Sequence, residues 1–196
     1  MLTFRLRSPP ADRRGGRRSW TDLRLSLGQQ ELQLGIASCG LAMSILAFDN
    51  PVFAAYAIAA ALMTLKLMGQ GWVTVVLMLR TDAGLLNPED LRPTPANRNP
   101  RPEQLELQPD VERSRRMQRN DLENIPAFLA IGLVFVAVAP PARAAYLLFG
   151  VFVVARFGHA WAYATAQNHE IRATFFSVGS IVVIVMALWV LLAALF

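Results

Sequence analysis

Of 196 residues, 54% are apolar and only 17% charged, with a formal net charge of +5. A surface that faces water carries more charge than this, so a soluble globular domain is excluded and a membrane-embedded chain is expected. The single cysteine, Cys39, excludes an intrachain disulfide and a cysteine metal site.

The N-terminal stretch, residues 1–30, holds Arg5, Arg7, Arg13, Arg14, Arg17, Arg18 and Arg24 with Pro9-Pro10 and Gly15-Gly16. That composition predicts a basic, disordered tail that meets anionic lipid headgroups rather than nucleic acid. Residues 31–50 form an extra short apolar segment. Its run Leu32 to Phe48 is about 25 Å long as a helix, marginal for a crossing, and Asp49-Asn50-Pro51 ends it. It is read as a short membrane helix or as one lying in the interface.

Residues 51–196 carry four further apolar runs: Val52 to Leu79, Ile125 to Ala139, Ala144 to Ala166 and Thr174 to Phe196. A crossing takes about 20 mostly apolar residues, so the first and last suffice directly. The third suffices if Arg156 and His159 face protein, and the second only if the charged stretch before it continues the same helix. Closed barrels are the other way to satisfy a backbone in lipid, but these runs lack the alternation of barrel strands. The fold class is therefore all-α, an integral membrane four-helix bundle with the extra short N-terminal helix. The loop "LRPTPANRNPRPEQLELQPD", with five prolines, reads as irregular or lid-like. Arginines in the tail and in the loop after Leu79 place both on the cytoplasmic side, which requires an even number of crossings between them.

Polar residues then form a pattern. In "RSRRMQRNDLEN", Arg113, Arg116, Arg119, Asn120 and Glu123 fall within an arc of about 120° on one helix face, and Asp121 falls outside it. Arginines alone would be a snorkelling collar at the headgroups. A carboxylate and an amide gain nothing from anionic headgroups, so Glu123 is read as pairing with Arg119 or with Arg116 of a neighbouring helix. In "ARFGHAWAY", Arg156, His159 and Tyr163 share an arc of about 60° deeper in the membrane. Singly, His159 would be a hydrogen-bonded core histidine and Tyr163 an interfacial anchor; their alignment with Arg156 points to a site. Arg172 opens the last run. Five arginines against Glu123 leave a net +4 where unpaired charge is expensive, so an anionic ligand is expected. Forked guanidinium donors, an amide and a carboxylate suit a small zwitterion with more than one carboxylate better than a phosphate. These residues make a poor metal ligand set, and none is read as binding a metal.

"NPED" (Asn87 to Asp90), "PDVERSRRMQRNDLEN", "ARFGHAWAY" and "IRATFF" together resemble the MAPEG family of membrane-associated eicosanoid and glutathione enzymes. The likeness runs from about Val52 to Phe196 and points within the family to the microsomal prostaglandin E synthases and their bacterial relatives. The resemblance implies a four-helix bundle that assembles as a homotrimer and uses glutathione, bound between subunits near the cytoplasmic helix ends. It implies that Arg119, Asn120 and Glu123 hold the polar ends of the tripeptide, with Arg113 and Arg116 in supporting pairs. Arg156, His159 and Tyr163 would line the same pocket. Arg172 would lie near the thiol as a catalytic residue with Asp90 as its acid partner, since a neighbouring cation favours the nucleophilic thiolate.

Three positions depart from the family's pattern. Ala173 stands where a serine is expected, Phe176 where a tyrosine is expected, and the cation closing the first helix is met by Arg80, about two positions late. These changes point away from prostaglandin isomerisation and leave activation of a thiol by Arg172 intact. The leading reading is a glutathione-dependent enzyme that conjugates or reduces lipophilic electrophiles or hydroperoxides, placed in a bacterial inner membrane with its site toward the cytoplasm. The second is a noncatalytic lipid-binding or scaffold protein of the same fold. A transport path would need polar residues continuing across the membrane, and the runs beyond Glu123 and before Arg156 are too apolar for one.

Overall fold

The computed structural model describes residues 29–32 and 45–196. Residues 29–32 are helical and exposed, in a unit separate from the one formed by residues 45–196. The basic tail before them, Cys39 and most of the short N-terminal apolar run lie outside the described residues.

In the larger unit, four helices are each long and apolar enough to cross a membrane: α1 (Pro51–Thr81), α2 (Pro109–Ala137), α3 (Ala142–Ala164) and α4 (His169–Leu195). Their ends follow from local chemistry. The Asn50 side chain caps the Val52 N–H with Pro51 at the first helical position, and Asn168 caps Ile171 at the start of α4. Beyond α2, Ala139 turns the chain with a positive φ of 48°, and Pro140-Pro141 lead into α3. The charged stretch Arg113 to Asn124 belongs to α2, as the length of the second apolar run required.

All four helices pack on one another in the sequence α1–α2, α2–α4 and α4–α3, with α1 also against α3. The core holds Tyr56 and Met63 of α1, Phe128 and Phe135 of α2, Phe149 and Phe152 of α3, and Met186 of α4. Phe128 and Phe152 stack with centroids 4.0 Å apart, and Phe149 meets Phe128 edge-on. Tyr56 donates its hydroxyl to the Leu129 carbonyl of α2 at 2.6 Å. That contact depends on Gly132, whose missing side chain leaves room for the ring: a Cβ there would stand 2.7 Å from Tyr56.

The loop from α1 to α2 is more ordered than its prolines suggest. It holds two short 3-10 turns, Pro88–Asp90 and Pro102–Leu105, and the buried Gln104 of the second ties the loop together. Its amide donates to Asp82 at 2.6 Å and accepts from Asn97 at 2.7 Å. Arg115 of α2 donates to the Gly84 carbonyl at 2.6 Å, so the loop is strapped to the helix that carries the charged face. Replacing Gly132 by alanine should lower the thermal midpoint of the detergent-solubilised protein, since overpacking costs about 1–3 kcal/mol. Gly150→Ala, where a Cβ meets nothing within 4 Å, should leave the midpoint unchanged or raised.

Candidate functional site

Inside the bundle, Asp121 of α2 has no exposed surface. One of its oxygens accepts from both Nε and Nη2 of Arg156 on α3, and the other accepts from Lys66 of α1. Arg156 is fully buried as well, so three helices meet at one carboxylate. A charge at this depth costs several kcal/mol unless it is paired, and here both cations are paired with the same carboxylate. Two cations share one carboxylate, however, and Nη1 of Arg156 stays buried without a hydrogen-bond partner.

From this ion cluster a line of contacts leads outward. Nη2 of Arg156 lies 3.2 Å from Nδ1 of His159. The His159 ring sits 4.9 Å from that of Tyr163. Asn120 donates its amide to the Tyr163 hydroxyl at 2.9 Å, and the Arg172 guanidinium lies over the Tyr163 ring at 4.9 Å. Two clefts flank Tyr163. One, of about 250 Å³, is lined by Asn120, His159, His169, Arg172, Ala173 and Phe176. The other, of about 360 Å³, is lined by Arg113, Ser114, Met117 and Val73.

The residues expected from sequence are thus distributed over several places. Asn120, His159, Tyr163 and Arg172 gather at one cleft, and Arg113 lines the second, paired with Asp110 at 3.1 Å. Arg156 lies beneath the cleft as a counter-ion. Arg116, Arg119 and Glu123 are exposed on the outer face of α2, and among the described residues they make no ion pair, so the expected pairing of Glu123 with Arg119 or Arg116 is not formed within the chain. Asp90 lies in the loop, where its carboxylate accepts from the Asn87 backbone and side chain at 3.4 Å each. No hydrogen bond or ion pair among the described residues joins it to Arg172.

Two residues that matter most escape the sequence reading. Asp121, set aside because it falls off the Arg119–Glu123 arc, lies on the face of α2 that packs inward with Met117, Asn124 and Phe128. Lys66 is hidden in the apolar run of α1. With Lys66 and Asp121 included the net charge of the cluster is still +4, but Asp121 now offsets one of the two buried cations beneath a cationic rim.

Four helices of membrane-spanning length, packed around a buried ion cluster beneath a polar, arginine-rimmed cleft, define an integral membrane protein. Residues 50–192 match the MAPEG family, and the chain belongs to it. It is 32% identical to prostaglandin E synthase from Homo sapiens over 146 residues, covering 74% of this chain and 92% of that one. It is 38% identical to microsomal glutathione S-transferase 1 from Homo sapiens over 139 residues, covering 71% and 88%. Prostaglandin E synthase from Rattus norvegicus is 30% identical over 156 residues, 80% and 95% of the two chains.

Removing Asp121 leaves two buried cations facing each other, so Asp121→Asn should cost about 3–5 kcal/mol in unfolding experiments. Lys66→Met leaves a balanced Arg156–Asp121 pair and should cost clearly less; an equal or larger loss would contradict this ordering.

Proposed function

We propose that the chain is a glutathione-dependent membrane enzyme that prepares the glutathione thiol for conjugation to, or reduction of, lipophilic electrophiles or hydroperoxides. The observation that carries the reading is Arg172, held over the Tyr163 ring at the rim of a cleft whose walls are Asn120 and His159. Membership of the MAPEG family and likeness to a microsomal glutathione S-transferase support it.

The donor set fits a zwitterionic tripeptide. The Asn120 side-chain nitrogen donates to Tyr163, and the side-chain carbonyl oxygen, which accepts no hydrogen bond among the described residues, can accept from an ammonium group. Arg113 and Arg172 supply cations on either side of Tyr163 for two carboxylates. Glutathione supplies the thiol that reacts. Arg172 places positive charge where that thiol loses its proton, and the apolar flanks Phe176 and Ala173 keep water from competing. Asp90 is proposed as the acid working with Arg172, brought to it by loop movement or by assembly.

Arg116, Arg119 and Glu123 face outward from the single chain, on a helix with an apolar continuation. Charges so placed are served by a neighbouring copy, which supports a homotrimer in which glutathione lies between subunits. In this arrangement residues 51–196 form the membrane domain, preceded in the sequence by the short apolar segment of 31–50 and the basic stretch of 1–30. Arg80, Arg101, Arg113 and Arg172 lie at the end of the bundle where α1 joins α2 and α3 joins α4, and among the described residues Arg143 is the one arginine at the opposite end. That asymmetry supports a site facing the cytoplasm, and a bacterial inner membrane is proposed as its setting.

Purified in detergent, the protein should bind glutathione at millimolar concentration and transfer its thiol to an aryl halide electrophile. Arg172→Ala should lower turnover about 10- to 1,000-fold, the loss expected when an adjacent cation no longer favours the thiolate. Absence of glutathione binding would end this reading. Binding without turnover on any electrophile or hydroperoxide would favour the noncatalytic role, which the replacement of two cleft hydroxyls by Ala173 and Phe176 favours.

A further inference from the structure

The hydrogen-bond inventory around Arg156 decides something about His159 that its own position leaves open. A neutral histidine has one ring nitrogen that donates and one that accepts, and which is which depends on its neighbours. Here the neighbour of Nδ1 is Nη2 of Arg156, at 3.2 Å. A guanidinium has donors only, so the contact is a hydrogen bond only if Nδ1 carries the lone pair. The ring proton must then sit on Nε2.

Nothing in the fold opposes that assignment. No hydrogen bond to Nε2 of His159 occurs among the described residues, yet the atom is not among the buried unsatisfied ones, a state in which only Nη1 of Arg156 is found. His159 also lines the cleft beside Asn120, Tyr163 and Arg172. Its Nε2 therefore reaches the cleft as a free position.

The guanidinium is in turn held in place from behind. Asp121 accepts from two of its nitrogens, which fixes the guanidinium plane, and Lys66 holds the second oxygen of the same carboxylate. Neither Lys66 nor Asp121 reaches the cleft; both act through Arg156.

We propose that the buried Lys66–Asp121–Arg156 assembly is a positioning device that locks His159 in its Nε2–H tautomer, making it a hydrogen-bond donor, and not a base, toward an acceptor group of the ligand in the cleft. The acceptor is a carboxylate or amide carbonyl of glutathione, which rests on the functional reading above; the tautomer itself does not.

The chain has two histidines, so a His169→Gln variant carries His159 alone. Labelled with nitrogen-15 in the imidazole and recorded at neutral pH in lipid nanodiscs, it should show a protonated Nε2 and an unprotonated Nδ1. A protonated Nδ1, or an imidazolium, would overturn the proposal. Adding Asp121→Asn should release Arg156 and yield a mixture of tautomers; an unchanged single tautomer in a folded protein would remove Lys66 and Asp121 from the device. The amide nitrogen of glutamine reaches where Nε2 lies, and that of asparagine only where Nδ1 lies. His159→Gln should therefore keep most of the glutathione affinity, and His159→Asn should lose about 10- to 100-fold, the worth of a hydrogen bond to a charged group. Equal affinities would overturn the proposal. Should the parent protein bind no glutathione, the functional reading falls while the nitrogen spectrum still decides the tautomer.

Discussion

Everything in this molecule is arranged around a carboxylate that has no access to solvent. Asp121 can be buried inside the bundle only because Arg156 and Lys66 reach it from two other helices, and those cations can be buried only because Asp121 is there. The interaction is mutual, and it fixes the relative rotation of α1, α2 and α3 more narrowly than apolar packing can. Leucines and phenylalanines can slide past one another at small cost; three charges around one pair of oxygens cannot.

The site inherits its geometry from that constraint. Once Arg156 is pinned, His159 one turn on and Tyr163 a further turn on are carried to fixed heights on α3, and Asn120, beside Asp121 on α2, is brought within 2.9 Å of the Tyr163 hydroxyl. Arg172 comes from α4, a helix outside the ion cluster, and it is steadied by the face of Tyr163. The aromatic cluster of Phe128, Phe149 and Phe152 packs beyond the ion cluster, on the side away from the cleft. Ser114 bonds Gln70 at 2.7 Å and Thr74 at 2.8 Å between α1 and α2.

The fold was largely legible in the chain. Apolar runs of membrane length, the Asp49-Asn50-Pro51 break and the proline pair before α3 place the helix ends within a few residues. The alignment of Arg156, His159 and Tyr163 also survives, because one helical face is a local property. What failed was partner assignment. Grouping Asp121 by its angle to Arg119 and Glu123 assumed that the charged face of α2 was the inward one. Extending the core stripe back from Phe128 through Asn124 reaches Asp121, and Arg156 needs a counter-ion at that depth; together these signals identify the pair. Lys66 left no such trace, since one cation in a long apolar run does not change its period. Gln104 was missed because the contacts that bury it span the loop and are set by tertiary structure.

If the buried ion cluster governs the site, Asp121 and His159 must be coupled although they do not touch. Glutathione affinity measured by titration calorimetry for the wild type, Asp121→Asn, His159→Ala and the double variant tests this directly. The account predicts that the loss caused by His159→Ala nearly vanishes once Asp121 is already replaced, because the imidazole no longer presents its donor. Losses that add to within about 0.3–0.5 kcal/mol would mean that the two residues act independently and that the cluster serves the fold alone.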